Sequence, residues 1–199
     1  MEFYNTIEST GIAEFKDRGS RFIAHAYPLS EVSLFKKIIQ DLKKEHPKAV
    51  HHCFAYRIGI TGDVFRASDD GEPAGTAGKP ILGQIDSKEL TDVLIVVVRY
   101  FGGTLLGVPG LINAYKTVSS LVLQTVPTVR KNVEVKYEIH FDYSDMNEIL
   151  KAIKQCNGIA FEQELQLFPF IKVRLPIVSE QFFLAMIKNH SNVRIEKII

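Results

Sequence analysis

The sequence predicts an α+β fold in two domains, and three observations carry that prediction. The densest is the stretch from Val93 to Tyr115. It opens with six apolar, mostly β-branched residues (Val93–Val98), passes through the glycine pair Gly102 and Gly103, and continues with Leu111, Tyr115, Val118 and Val122 at helical spacing. It reads as core strand, glycine turn and core helix. Second, short strand-like segments separated by turn residues precede it, so several antiparallel strands come before two late helices. Third, the apolar periodicity breaks around Pro127 to Asn132. Beyond it the order is strand, helix, strand, strand, helix, strand within residues 130–199. That βαββαβ order is the ferredoxin-like arrangement. The domains are therefore expected at 1–129 and 130–199.

In chain order, Phe3 to Thr6 and Gly11 to Lys16 are expected as short strands, with Asp17-Arg18-Gly19 as a turn and Arg21 to Leu29 as the next strand. Ser30 is suited to cap a helix carrying Val32, Phe35, Ile39 and Leu42 on one face. Lys43 and Lys44 lie near its end on a solvated side, and Pro47 just beyond. Ala49 to Ile60 and Asp63 to Ala67 form a hairpin around Thr61-Gly62. The stretch Ser68 to Leu82 is acidic first and glycine-rich after, and leads into a helix-like run ending at Ile85. Pro109, with its fixed φ, is placed as the first residue of the helix that follows the glycines. The second domain then reads as Val133–Phe141, helix Asp145–Gln155, Gly158–Leu165, Leu167–Leu175, helix Glu180–Lys188 and Val193–Ile198. Asp145 with Glu148 resembles a capping box, Gly158 a helix stop, and Ser179 a second N-cap.

Composition narrows the classes. Of 199 residues, 46% are apolar and 24% charged, an ordinary soluble balance. The 24 Lys+Arg face 23 Asp+Glu; ten basic and nine acidic residues lie from Arg130 onward, leaving fourteen of each before it. Neither domain is a basic body that binds nucleic acid by bulk charge, so such binding needs a local patch. No leader-like or membrane-spanning apolar run occurs, and Cys53 and Cys156 form no metal-like pair, which leads us to expect a cytoplasmic protein with two buried thiols.

The chemistry candidates fall in two groups. Arg99 stands at the end of the core strand beside Gly102 and Gly103. With Lys79, and Lys116 on the polar side of the following helix, these residues make a candidate seat for phosphate or another anion. The competing reading gives the glycines to tight packing and Arg99 to an ion pair. The acidic loop supplies Asp69, Asp70 and Glu72, which with His52 are candidates for acid–base chemistry. Adjacent strand residues face opposite ways, so at most one of His51 and His52 can join them. A phosphate-binding P-loop is excluded, because Pro73 replaces its first glycine and Pro80 its hydroxyl residue. No serine nucleophile elbow occurs, His25, His46, His140 and His190 have no evident partner, and no metal centre or cofactor is expected. Leu167 to Leu175 does not match the aromatic signature of an RNA-recognition motif, which makes Phe168 and Phe170 core candidates.

Taken together, Ser68-Asp-Asp-Gly-Glu-Pro-Ala-Gly-Thr-Ala-Gly-Lys-Pro80, Val97-Val-Arg-Tyr-Phe-Gly-Gly-Thr-Leu-Leu-Gly107, His51-His52-Cys53 and Ser20-Arg21-Phe22 resemble the IMPACT family, in particular its bacterial, YigZ-like branch. The resemblance covers essentially the whole chain. It implies an N-terminal domain like the second domain of ribosomal protein S-five and a ferredoxin-like C-terminal domain like one of elongation factor G. It also implies contact with RNA, the ribosome or a translation factor. Eukaryotic members regulate translation under amino-acid starvation through an additional N-terminal module that this sequence does not show, so that partner is not expected. The family usually has Thr-Gly-Gly where this chain has Val108-Pro109-Gly110, which removes a capping hydroxyl and one N–H donor. The leading expectation is an RNA-, ribosome- or translation-factor-binding regulator of translation. Its rivals are a hydrolase using Asp69, Asp70 and Glu72 with or without Mg²⁺, and a protein-interaction scaffold.

Overall fold

A computed structural model of the chain describes residues 1–166, 168–188 and 192–198. The chain divides into a larger unit, Tyr4–Lys131, and a smaller one, Met1–Phe3 with Asn132–Ile199. The larger unit contains all but the first residue of β1 (Phe3–Ile7), then β2 (Gly11–Asp17), β3 (Ser20–Pro28), α1 (Val32–Glu45), β4 (His51–Ile58), β5 (Val64–Ser68), α2 (Gly78–Ser87), β6 (Val93–Tyr100), α3 (Gly107–Gln124) and all but the last residue of β7 (Thr128–Asn132). Five strands form an antiparallel sheet in the order β2-β3-β6-β4-β5.

β6 is central and buried along its length, as its composition demands. Its alternate residues serve two cores. Val93, Ile95 and Val97 pack with Ile81 and Ile85 of α2 and with Leu111, Tyr115 and Val118 of α3. Leu94 and Val96 pack on the other face with Phe35 and Leu42 of α1 and with Phe54 and Tyr56 of β4. Each such valine or leucine contributes about 1.5–3 kcal/mol through burial, so this one strand ties both layers of helices to the sheet.

The smaller unit contains β8 (Glu134–His140), α4 (Met146–Gln155), β9 (Ile159–Glu164), β10 (Phe170–Pro176), α5 (Glu180–Ile187) and β11 (Arg194–Ile198). Its antiparallel sheet has the order β11-β8-β10-β9. Val135, Tyr137 and Ile139 meet Ile149 and Ile153 of α4 and Phe183 of α5, while the alternate residues Glu134, Lys136, Glu138 and His140 lie outside that core.

Several local expectations are corrected. Residues 128–132 form a strand that pairs with β1, because a polar segment can still satisfy its backbone along a sheet edge. Glu31, not Ser30, precedes α1, and its carboxylate accepts from Ser33 Oγ at 3.0 Å. Pro109 is the third residue of α3 rather than the first, which the helix tolerates because first-turn N–H groups have no partner to lose. Asp145 and Ser179 precede α4 and α5 without a side-chain capping bond, and each closes a 3₁₀ turn instead. At the end of α4 the left-handed position goes to Asn157, while the Gly158 N–H returns to the Ile153 carbonyl at 2.8 Å. Phe168 is 82% exposed, and Phe170 lies on the polar sheet face against His140 rather than in the core. Leu167 and His190 lie outside the described residues.

Candidate functional site

Three strand ends meet in register. On β6, Arg99 pairs with Phe22 of β3 on one side and with His51 of β4 on the other. Strand alternation puts these three on the face that carries Ala24, Cys53 and Val97, under the loop joining β5 to α2.

That loop is stapled from within. The Asp69 carboxylate accepts the N–H groups of Gly75, Ala77 and Gly78 at 2.8, 2.9 and 2.8 Å. It does for α2 what Ala77, the residue at the capping position, cannot. Burial pushes its pKa up, but the three N–H bonds outweigh that and leave it below the ordinary carboxylate value. Asp70, held at φ 41°, accepts the His52 N–H at 2.7 Å and lies 3.6 Å from Lys43 Nζ. The turn thereby delivers Glu72 onto Arg99.

Glu72 and Arg99 form a nearly closed ion pair. Arg99 is 5% exposed and the Glu72 side chain 3%. Arg99 Nη1 donates to Glu72 Oε1 at 2.6 Å, and Tyr115 Oη donates to the same oxygen at 2.7 Å. Arg99 Nη2 donates to Ser20 Oγ at 3.4 Å, and the Phe22 and Phe101 rings lie 5.3 and 5.8 Å from the guanidinium carbon. Cys53 Sγ lies 3.3 Å from Tyr115 Oη and 3.0 Å from the Asp69 carbonyl. Burial pushes both the Cys53 thiol and the Tyr115 phenol well above their ordinary pKa values, so neither supplies a ready nucleophile or base.

The other oxygen, Glu72 Oε2, takes no hydrogen bond among the described residues and stands 3.9 Å from His51 Nε2. His51 Nδ1 lies 2.8 Å from the Asp70 carbonyl. A carbonyl only accepts, so Nδ1 carries a proton, and in the neutral form of the ring Nε2 is an acceptor that faces the cleft. Both acceptors line a cleft of about 390 Å³ whose walls include Val50, Arg99, Phe101 and Leu105. Its rim is apolar and uncovered: Leu105 is 82% exposed, and Phe101 and Val108 are about half exposed.

The residues singled out in the sequence are thus dispersed. Glu72 and Arg99 converge; Asp69 and Asp70 build the loop around them. The His52 ring faces the opposite side of the sheet, beneath α1, because strand alternation gives the cleft to His51; only the His52 main chain reaches Asp70. The Gly102 N–H donates to Ser20 Oγ at 3.2 Å, and a Cβ there would fall 1.8 Å from the Gly19 carbonyl carbon, so Gly102 serves close packing. Gly103 has φ 86°. Lys79 is exposed in the first turn of α2 and does not line the cleft. Lys116 belongs to a separate polar groove with Gln84, Asn113 and Ser120. The cleft thus has two open acceptors, and an arginine paired through Nη1 and Nη2 whose buried Nε has no partner. His51, Tyr115, Phe101 and Leu105 were not selected from sequence; strand parity held the signal for His51, but only once the register with Arg99 is known.

Fold and cleft together define a two-unit α+β protein with a small, largely apolar cleft closed at its base by an ion pair. The Impact N-terminal domain profile matches residues 18–123. The IMPACT family member YigZ of Escherichia coli (strain K12) is 36% identical over 174 residues, 86% of this chain and 85% of that protein. The family member YvyE of Bacillus subtilis (strain 168) is 37% identical over 162 residues, 81% of this chain and 75% of its own length. The Protein IMPACT of Xenopus laevis is 38% identical over 96 residues, 46% of this chain and 30% of that protein. A crystal structure of a hypothetical protein superposes with a TM-score of 0.77 at 32% identity, covering 100% of this chain and 98% of that one. The chain belongs to the IMPACT family. Among the described residues no helix is long and apolar enough to cross a membrane.

Proposed function

We propose that this protein acts in the cytoplasm on the translation machinery, binding RNA in the ribosome and so modulating translation, with the cleft at His51, Glu72 and Phe101 as its point of contact. The observation that carries the reading is a pair of open acceptors beside an exposed aromatic, the equipment with which proteins hold an unpaired base. The family supports the connection to translation. A formal charge of +1 and an arginine already paired argue against recognition through phosphates. By the same reading the larger unit takes the ribosomal S-five type of fold. The smaller is ferredoxin-like and elongation factor G-like, a view its β11-β8-β10-β9 order supports. The test is co-sedimentation with ribosomes and with ribosomal RNA at two salt concentrations. Wild type co-sediments, and Phe101→Ala with Leu105→Asp lowers the bound fraction at least tenfold; failure of wild type with both, or equal binding by the variant, overturns it.

A second reading has one observation in its favour: the Asp70 carbonyl fixes His51 in the tautomer of a general base, with Glu72 beside it. Asp69 and Asp70 direct their oxygens to N–H groups, so this enzyme runs on His51 and Glu72 rather than on the three loop carboxylates. It predicts saturable turnover that vanishes in His51→Ala while the fold persists; turnover unchanged in that variant sinks it.

A further inference from the structure

We infer that the cleft is a seat for an amino-substituted heteroaromatic ring of the kind carried by cytosine and adenine, held by its exocyclic NH₂ group; this deepens the RNA reading above by naming what enters the site. Arg99 spends Nη1 on Glu72 and Nη2 on Ser20 Oγ, and the Gly102 N–H goes to the same hydroxyl, while Arg99 Nε is buried without a partner. A guest that brings only acceptors, such as phosphate or a carboxylate, would set its negative charge beside the open Glu72 oxygen. The open groups are acceptors, Glu72 Oε2 and the His51 Nε2 lone pair. They stand 3.9 Å apart, too far to bond each other directly. A single nitrogen can lie within about 2.9 Å of both and give each one hydrogen.

Charge and shape select among donors. Arg99 already neutralises Glu72, so an ammonium would place a second cation beside a buried guanidinium, whereas an aromatic amine enters uncharged. Phe101 offers an exposed ring for stacking, Val50 and Leu105 offer apolar walls, and about 390 Å³ accommodates one base. Uracil and hypoxanthine carry a carbonyl where cytosine and adenine carry NH₂. They would set an acceptor against two acceptors and leave all three without a hydrogen.

The inference is tested on the full-length protein by NMR titration with cytidine, adenosine, uridine, inosine and propylamine, following the His51 ring resonances. Cytidine and adenosine are expected to bind at least tenfold more tightly than uridine and inosine, with propylamine weaker still. Phe101→Ala should weaken all of the nucleosides, and His51→Ala should shrink the preference for the amino bases. Equal binding of cytidine and uridine, or propylamine binding as tightly as cytidine, overturns the seat. Oligo(C) and oligo(U) form a second arm. Oligo(C) binding more tightly than cytidine supports a base in an RNA chain, and equal affinity supports a free nucleoside as the natural guest. Cytidine selectivity without any ribosome or RNA co-sedimentation retires the translation reading and leaves the seat; ribosome binding with no base preference retires the seat alone.

Discussion

Removing either partner of the Arg99–Glu72 pair strands a charge in a site almost closed to water. Arg99→Met and Glu72→Gln should each lower the unfolding free energy by about 3–5 kcal/mol, while the double variant should cost much less than their sum. Urea denaturation of the four proteins checks this; additive losses would mean the two groups do not depend on each other. Asp69 acts on the loop rather than on any guest. Asp69→Ala removes the acceptor of three N–H bonds and should cost about 1–3 kcal/mol. Its folded pKa lies below the unfolded value, so the stability it contributes is present above about pH 4 and is lost as pH falls toward the folded value. Wild type should therefore lose stability on acidification below about pH 4 more steeply than Asp69→Ala, measured by thermal melts.

At the scale of elements, the end of β6 is fixed by contact with the turn joining β2 and β3. Gly102→Ala drives a Cβ into the Gly19 backbone and should destabilise more than Gly103→Ala, which meets open space and pays only for its φ of 86°. Thermal midpoints decide between them, and the reverse order would contradict the packing described. Beneath α1, on the far face of the sheet, His25 and His52 are buried. Burial, then the neighbouring His46, lowers the His25 pKa; burial, then Lys43, lowers that of His52. Both folded values lie below the unfolded one of about 6.5, so their contribution is present above that pH and is lost as pH falls through the range below it. The melting temperature should fall from about pH 7.5 to about pH 5, and His25→Leu should flatten the fall. Legibility in the sequence follows the same scale. β6 was readable because six apolar residues between turns allow few alternatives, and the helix faces because their period is long. Strand β7 was not, since Thr128 to Asn132 has no apolar pattern and exists through its pairing with β1. The helix starts were missed because 3₁₀ turns and distant carboxylates such as Asp69 satisfy N–H groups that adjacent hydroxyls were expected to take. His51 was missed in favour of His52 because register between strands far apart in the chain decides which of two neighbours meets Arg99, and no local signal carries register.

For the molecule as a whole, the RNA contact proposed above should respond to base identity more than to salt, because the chain is near-neutral and its cleft arginine is paired with Glu72. With one or two phosphates engaged, the slope of log affinity against log salt for single-stranded RNA should be shallower than about −1.5. A slope near −4, measured by fluorescence titration of an oligo(C) strand, would mean that lysines outside the cleft carry the contact. The most direct measurement is chemical-shift mapping of the full-length protein with oligo(C). The largest perturbations are expected at His51, Glu72, Phe101 and Leu105, with little change at Lys116. Perturbations centred on the Lys116 groove or on β8–β11, with the cleft unmoved, would contradict that expectation.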